Sequence, residues 1–170
     1  KIDPEEVRKK LPDGAGVKVL VGELPQEELE EISLAVFSPG VPVDTPFADR
    51  IRERKIPIWG EIELGYAFLK GRLIAITGTN GKTTTTSLTG QIMRDYFDSV
   101  FVVGNIGDPI TAEVLKTRDD SVTVAEISSF QLETTHAFHP QVSAVLNITP
   151  DHLNRHHTME NYAAVKESIT

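Results

Sequence analysis

The chain has 170 residues, no cysteine and a formal net charge of −8, from 17 Lys+Arg against 25 Asp+Glu. Without cysteine it has no disulfide, cysteine–zinc site or thiol nucleophile, and its acidic balance argues against nucleic acid as a partner. The apolar fraction of 39% is enough for a packed core, and no apolar run is long enough to cross a bilayer. We expect a cytoplasmic protein without a membrane partner, with one large or two small domains.

The first portion, up to about Lys70, alternates short apolar runs with polar helical stretches. Strands are predicted at residues 17–21, 34–37 and 56–59. Helices are predicted at residues 25–31, 46–54 and 61–69. This alternation is typical of an α/β unit with a parallel sheet, so residues 1–70 are predicted to form a partial, Rossmann-like N-terminal domain.

The second portion, residues 71–170, repeats the alternation with more strongly apolar strands. Strands are predicted at residues 73–77, 100–103, 122–125 and 142–146, with helices at about 82–96 and 110–116. Such continuous β-branched runs are expected of strands covered on both faces. We predict a doubly wound parallel sheet, whose ligands bind beyond the carboxyl ends of the strands.

The most informative stretch is Gly-Thr-Asn-Gly-Lys-Thr-Thr-Thr at residues 78–85, which joins the first of these strands to a helix. Backbone N–H groups at a helix start point at an anion, and the helix dipole adds positive charge. Lys82 can reach outer phosphates and the Thr83 hydroxyl can ligate Mg²⁺. The general P-loop pattern has a further glycine where this chain has Ile76, so the loop is a short form. It predicts a nucleoside triphosphate site; the alternative is a glycine-rich turn that binds nothing.

Polar residues follow the other three strands of this portion. Asn105 follows the second strand, Glu126 the third and the pair Asp151-His152 the fourth. We therefore expect Lys82, Thr83 and these strand-end side chains to lie along one rim of the sheet. Glu126 is the predicted Mg²⁺ ligand, with helix capping as its alternative role, and Asp151 is the alternative to His152.

Other candidate residues have no clear functional signal in the residues alone. His156 and His157 are expected to be exposed loop residues. Lys166 lies in a helical run, where a lysine is normally a solvated surface group.

Taken together, the motifs resemble those of the Mur ligases, ATP-dependent enzymes that build the peptide of the bacterial cell-wall precursor, peptidoglycan. The element Glu-Ile-Ser-Ser-Phe-Gln-Leu-Glu (126–133) is the most specific, and it is similar to that of members that add D-glutamate. The resemblance extends from about residue 33 to the end of the chain. Asn154 stands where many relatives have Asp. The other matching motifs are Ser38-Pro39-Gly40-Val41, residues 78–85, Gly-Asn-Ile-Gly (104–107) and Asp-His-Leu-Asn-Arg-His (151–156).

The resemblance implies a role for each matching residue. ATP would be bound by Gly78, Thr79, Asn80, Gly81, Lys82, Thr83, Thr84 and Thr85. Magnesium would be held by Thr83, Glu126 and His152, and Lys166, once carbamylated, would help to hold a second magnesium. The UDP-sugar substrate would contact Ser38, Asn105 and Ser128. The catalytic set would then be Lys82, Glu126, His152 and Lys166.

The implied activity is the addition of D-glutamate to UDP-N-acetylmuramoyl-L-alanine through an acyl phosphate, by a monomeric enzyme. The chain has no initiator Met or signal-peptide pattern and ends in a helical run, so we expect a piece of a longer protein with an incomplete active site. Three alternatives remain: another Mur-type ligase or a folylpolyglutamate synthase, a P-loop NTPase regulator, and a binding module without activity of its own.

Overall fold

The computed structural model describes residues 3–12 and 16–170 as an α/β fold with two parallel sheets. In the first portion β1 pairs with β2 in parallel, and a small core forms around Leu29, Phe37 and Ile51. Thr45 caps α3 by accepting the N–H of Ala48 at 3.3 Å. The elements are α1 (Pro4–Arg8), α2 (Gln26–Glu31), β1 (Ala35–Phe37), α3 (Pro46–Glu53), β2 (Ile58–Gly60) and α4 (Glu61–Phe68).

The second portion is built on a four-stranded parallel sheet. Its elements are β3 (Arg72–Thr77), α5 (Lys82–Arg94), β4 (Val100–Gly104), α6 (Ile110–Glu113) with a 3-10 turn (Val114–Lys116), β5 (Val122–Glu126), α7 (Ser129–Leu132), β6 (Val142–Val145), α8 (Leu153–His156) and α9 (Met159–Glu167). The strand order is β4-β5-β3-β6. Gly104 on one side and Ile76 on the other both lie opposite Glu126, so the carboxyl ends of these strands are level. The predicted α/β class with parallel sheets is confirmed.

The predicted strand at residues 17–21 is wrong. This segment has no regular secondary structure, and Val17 and Val21 are each 54% exposed. A strand requires a neighbour that accepts its backbone hydrogen bonds. Within the described residues the first sheet contains β1 and β2 only, so an apolar run alone was an insufficient signal.

The prediction that all four strands of the second sheet are covered on both faces holds only for the inner strands, for β5 throughout and for β3 over most of its length. Every residue of β5 is buried, whereas β4 is half-buried and Val142 of β6 is 55% exposed. The strand order explains the difference, because β4 and β6 are the edge strands. The short helices α7 and α8 were not predicted, since four residues are too few to show a helical period. In the described part of the chain, no helix is both long and apolar enough to traverse a bilayer.

Candidate functional site

The loop between β3 and α5 has the backbone geometry of an anion site. Gly78 and Gly81 have φ angles of 144° and 84°, which favour glycine, and Gly81 is the N-cap of the 13-residue helix α5. The N–H of Thr85 donates to the Gly81 carbonyl at 3.0 Å, as the first turn of the helix requires. Helix geometry leaves the preceding N–H groups without intrahelical acceptors. They are therefore available, with the helix dipole, for a phosphate.

This loop is fixed by residues that follow β6. Asn147 accepts the N–H of Thr79 with its carbonyl and that of Asn80 with its side chain, both at 2.9 Å, and its amide donates to the Asn80 carbonyl. The Thr79 hydroxyl accepts the N–H of Thr149 at 3.0 Å and lies 3.1 Å from the Tyr162 hydroxyl. These bonds restrain the loop, and a restrained loop loses less conformational entropy when it binds a ligand.

Glu126 lies at the centre of the rim and is 1% exposed. Its two carboxylate oxygens accept hydrogen bonds from the Thr83 hydroxyl and the Asn105 amide, each at 2.8 Å. The backbone N–H of Asn105 also donates to the Glu126 carbonyl at 2.8 Å. The Glu126 carboxylate at the end of β5 thus contacts both the Asn105 amide, which follows β4, and the Thr83 hydroxyl of the loop. The positions of these residues at the strand ends predicted this meeting.

Two lysines converge on the carbonyl of Gly78. Lys82 donates to it at 3.0 Å and also to the Thr79 carbonyl at 3.0 Å, while Lys166 donates to it at 2.9 Å. Lys166 is 2% exposed, so the reading from the residues alone, a solvated helix lysine, is wrong. Burial, and secondly the nearby charge of Lys82, lower the pKa of Lys166 from 10.5 to about 8, although Asp151 opposes this.

A cavity of about 270 Å³ opens between the loop, α7 and α9. Its walls bring together the predicted Lys82, Asn105, Ser128, His152 and Lys166 with Ser129, Phe130, Asp151 and Tyr162. The His152 ring lies 4.8 Å from the Phe130 ring, and its backbone is left-handed, with φ at 52°. A non-glycine residue in this region is a local strain that is often found at functional sites.

The remaining predicted residues lie apart from this cavity or differ from expectation. Ser38 is exposed in the turn after β1, where its carbonyl accepts the Val41 N–H at 2.9 Å, and it does not line the cavity. His157 is exposed as predicted, but the prediction for His156 is wrong. His156 is 4% exposed and its Nε2 lies 2.9 Å from the Ser129 hydroxyl. Burial lowers the pKa of His156, because desolvation disfavours the charged ring.

The sequence reasoning missed three residues of this site. Asn147 had a usable signal, since it directly follows the fourth strand, where ligand-facing residues are expected. Phe130 lies within the motif at residues 126–133 and Tyr162 four residues before Lys166, but neither was singled out, because an aromatic residue in a short helical run is usually part of a core. Burial raises the pKa of Tyr162, so its hydroxyl stays protonated near Thr79.

The residues at the rim fit a magnesium ion. Thr83 Oγ1 and Glu126 Oε2 are 2.8 Å apart, and adjacent oxygen ligands in an octahedral Mg²⁺ shell are separated by about 2.9 Å. Both are hard oxygen donors, which this ion prefers. In the described part of the chain no group of three or more His, Cys, Asp or Glu side chains forms a metal cage. Mg²⁺ is usually bound through one or two protein carboxylates together with the phosphates of a substrate.

Comparison with known proteins gives a consistent result. Residues 76–170 match the family described as Mur ligase middle domain. A UDP-N-acetylmuramoylalanine–D-glutamate ligase from Lachnospira eligens is 59% identical over 170 residues, covering 100% of this chain and 38% of that protein. Proteins of the same name from Lachnoclostridium phytofermentans and Acidobacterium capsulatum are 57% identical over 99% and 80% of this chain, and over 37% and 30% of their own lengths. The chain therefore spans less than two fifths of these curated relatives.

Proposed function

The chain belongs to the Mur ligase family, and from that premise we propose that it is part of an ATP-dependent ligase that joins D-glutamate to UDP-N-acetylmuramoyl-L-alanine. The printed names of the relatives support this choice of substrates. We assign residues 1–70 to a partial substrate domain that binds the UDP end. Residues 71–170 are assigned to the first part of a central, doubly wound P-loop domain. We further propose that the whole protein is a cytoplasmic monomer.

The loop at residues 78–85 is proposed to hold the triphosphate of ATP. The observation that carries this proposal is the combination of left-handed Gly81 at the start of α5 with Lys82 in the first helical position. Lys82 is held 3.0 Å from two loop carbonyls, so its ammonium already lies over the loop. We propose that this side chain rotates from those carbonyls to a phosphate oxygen when ATP binds. The negative charge of the bound triphosphate would then be neutralised by the Lys82 ammonium and by the N–H groups at the start of α5.

Magnesium is proposed to be held by Thr83, Glu126 and His152, and Lys166, once it carries a carbamate, is proposed to help hold a second magnesium ion. When bound, the ion would neutralise charge on the transferring phosphoryl group. The buried, pKa-lowered amine of Lys166 supports the carbamylation proposal, since only the neutral amine reacts with carbon dioxide. Glu126 is already held by Thr83 and Asn105, so its carboxylate is oriented before any metal arrives.

The proposed reaction has two steps. A carboxylate oxygen of the UDP-sugar substrate attacks the γ-phosphorus of ATP, the bond to the ADP oxygen breaks, and an acyl phosphate forms. The amine of D-glutamate then attacks the acyl carbon, loses a proton and displaces inorganic phosphate, leaving an amide. The chain's own side chains orient the reactants and neutralise charge, which explains why no nucleophilic residue is required. Asn105 and Ser128, which line the cavity, are proposed to contact the sugar substrate, and Ser38 to contact it from the first portion.

The test is substrate-dependent release of ADP by the full-length protein that contains this chain. We expect release with UDP-N-acetylmuramoyl-L-alanine and D-glutamate, and background release with L-glutamate, L-lysine or glycine in its place. A protein that responds better to another amino acid is a different ligase. One that hydrolyses ATP equally well without the sugar substrate is an NTPase. Calorimetry supplies an independent control, since absence of heat on titration with MgATP would contradict the nucleotide site itself.

A further inference from the structure

The loop Ser38-Pro39-Gly40-Val41 is connected to the rim of the second sheet by one side chain, Arg155. The carbonyl of Val41 accepts a hydrogen bond from Arg155 Nη2 at 3.2 Å. The same loop is closed on itself by the bond from the Val41 N–H to the Ser38 carbonyl at 2.9 Å. The turn that contains Ser38 is thus in direct contact with the guanidinium through the Val41 carbonyl.

Arg155 is itself firmly held. Its Nε lies 3.2 and 3.1 Å from the two carboxylate oxygens of Glu133, and its Nη2 donates to the same carboxylate. The side chains of Arg155 and Glu133 are only 13% and 11% exposed. The guanidinium also stacks over the Phe130 ring at 4.6 Å. A forked, planar cation engaged on several sides is well oriented, which a flexible lysine would not be.

The contacts of Arg155 also extend to the proposed metal and nucleotide site. Phe130 lies 4.8 Å from the His152 ring and lines the same cavity as Lys82 and Lys166. The backbone N–H of Arg155 donates to the His152 carbonyl at 2.9 Å. One residue thus contacts the loop after β1, the segment after α7 and the residue just before α8.

The surrounding contacts show why this side chain is needed. β2 is attached to the segment after α7 by the Gly60 N–H, which donates to the Thr134 carbonyl at 3.1 Å, and by His136 Nε2, 2.8 Å from the Ile58 carbonyl. These bonds fix β2. They do not reach the Ser38–Val41 turn, which follows the partner strand β1 and needs contacts of its own. The Arg155 guanidinium supplies such a contact to the Val41 carbonyl. A hydrogen bond from a charged donor is stronger than one from a neutral donor.

We propose that Arg155 is a positioning residue that sets the Ser38–Val41 turn, on the side of the sugar-nucleotide substrate, in register with the nucleotide site, through its shared contacts with Glu133, Phe130 and the Val41 carbonyl. The inference rests on the proposed function. Arg155 touches neither reacting group, so its loss changes where the sugar nucleotide lies and leaves the binding of ATP intact. Substitution of Arg155 is therefore expected to raise the KM for the sugar nucleotide and to leave the KM for ATP nearly unchanged.

The test uses Arg155→Lys in the full-length protein, because Arg155→Ala leaves Glu133 as an unpaired, largely buried charge and can prevent folding. Lysine keeps the charge but cannot bridge Glu133 and Val41 while stacking on Phe130. We expect the KM for UDP-N-acetylmuramoyl-L-alanine to rise about tenfold, as for loss of one charge-assisted hydrogen bond, and the KM for ATP to change by less than about twofold. Arg118→Lys is the matched control, since Arg118 pairs with Asp120 in an exposed ion pair, and neither KM should change.

Hydrogen exchange of the turn gives a second readout that does not depend on activity. In Arg155→Lys the backbone amide of Val41, which donates to the Ser38 carbonyl, should exchange faster, while those of Thr79 and Asn80, which donate to Asn147, should not. Unchanged exchange of the turn, an unchanged KM for the sugar nucleotide, or an equal rise in both KM values would overturn the proposal. If the unsubstituted protein releases no ADP with these substrates, the proposed function has failed, and the exchange comparison still decides whether Arg155 holds the turn.

Discussion

Lys166 is expected to react with carbon dioxide far more readily than a surface lysine. Its pKa is lowered from 10.5 to about 8, so at pH 7.5 about a quarter of its amines are neutral, against about one in a thousand for an ordinary lysine. Only the neutral amine attacks carbon dioxide, forming an N–C bond and releasing one proton. The reactive population is therefore larger by about 200-fold, and it falls as the pH drops further below 8.

The assay is ¹³C NMR of the full-length protein in ¹³C-labelled bicarbonate, where a carbamate gives a carbonyl signal of its own. Lys166→Met assigns the signal, and Lys116→Met is the control, because Lys116 is an exposed lysine paired with Glu113. Lys82→Met is a further variant with a directional outcome. The charge of Lys82 is the second cause of the lowered pKa of Lys166, so its removal should raise that pKa and weaken the carbamate signal.

Two results would refute this reasoning. A carbamate signal that persists in Lys166→Met would place the modification elsewhere. Equal labelling of Lys166 and the exposed lysines would show that burial at 2% exposure does not make this amine more reactive.

Further predictions concern turnover and stability. Lys82→Ala should lower the rate of ADP release by about 100-fold or more without unfolding the protein, because one preorganised positive charge is lost; near-normal turnover would exclude this role. Glu63→Gln should lower the free energy of unfolding, measured in urea, by about 2–3 kcal/mol. The Glu63 carboxylate is 2% exposed and accepts three consecutive backbone N–H groups, and the amide of glutamine would turn a donor toward them. Gly65→Ala should lower the free energy of unfolding by about 1–3 kcal/mol, because the new Cβ would lie 1.8 Å from Ile110 Cγ2. Gly40→Ala is the control: there is open space around Gly40, so this variant should unfold like the parent.

The sequence was most informative where a local pattern and a general rule of the fold coincide. The loop from Gly78 to Thr83 has its own residue signature, and Asn105 and Glu126 follow predicted strands, so their meeting at the rim could be anticipated. The burial of His156 and Lys166 could not be anticipated. It depends on how α8 and α9 pack against α7 and the loop, and a helix periodicity of four to nine residues does not give that packing.

The register of the sheet explains why the strand-end rule worked for this site. Glu126 lies on β5 between β4 and β3, directly opposite Gly104 and Ile76. Asn105 is the next residue after Gly104, and its side-chain amide donates to the Glu126 carboxylate at 2.8 Å. The chain leaves β3 one residue beyond Ile76 and enters the loop, whose helix returns Thr83 to the same carboxylate at 2.8 Å. A shift of one residue in either pairing would turn the Glu126 side chain to the other face and separate all three groups. The proposed metal site is thus determined by strand register, and a disturbance of that register should abolish it even if every ligand is kept.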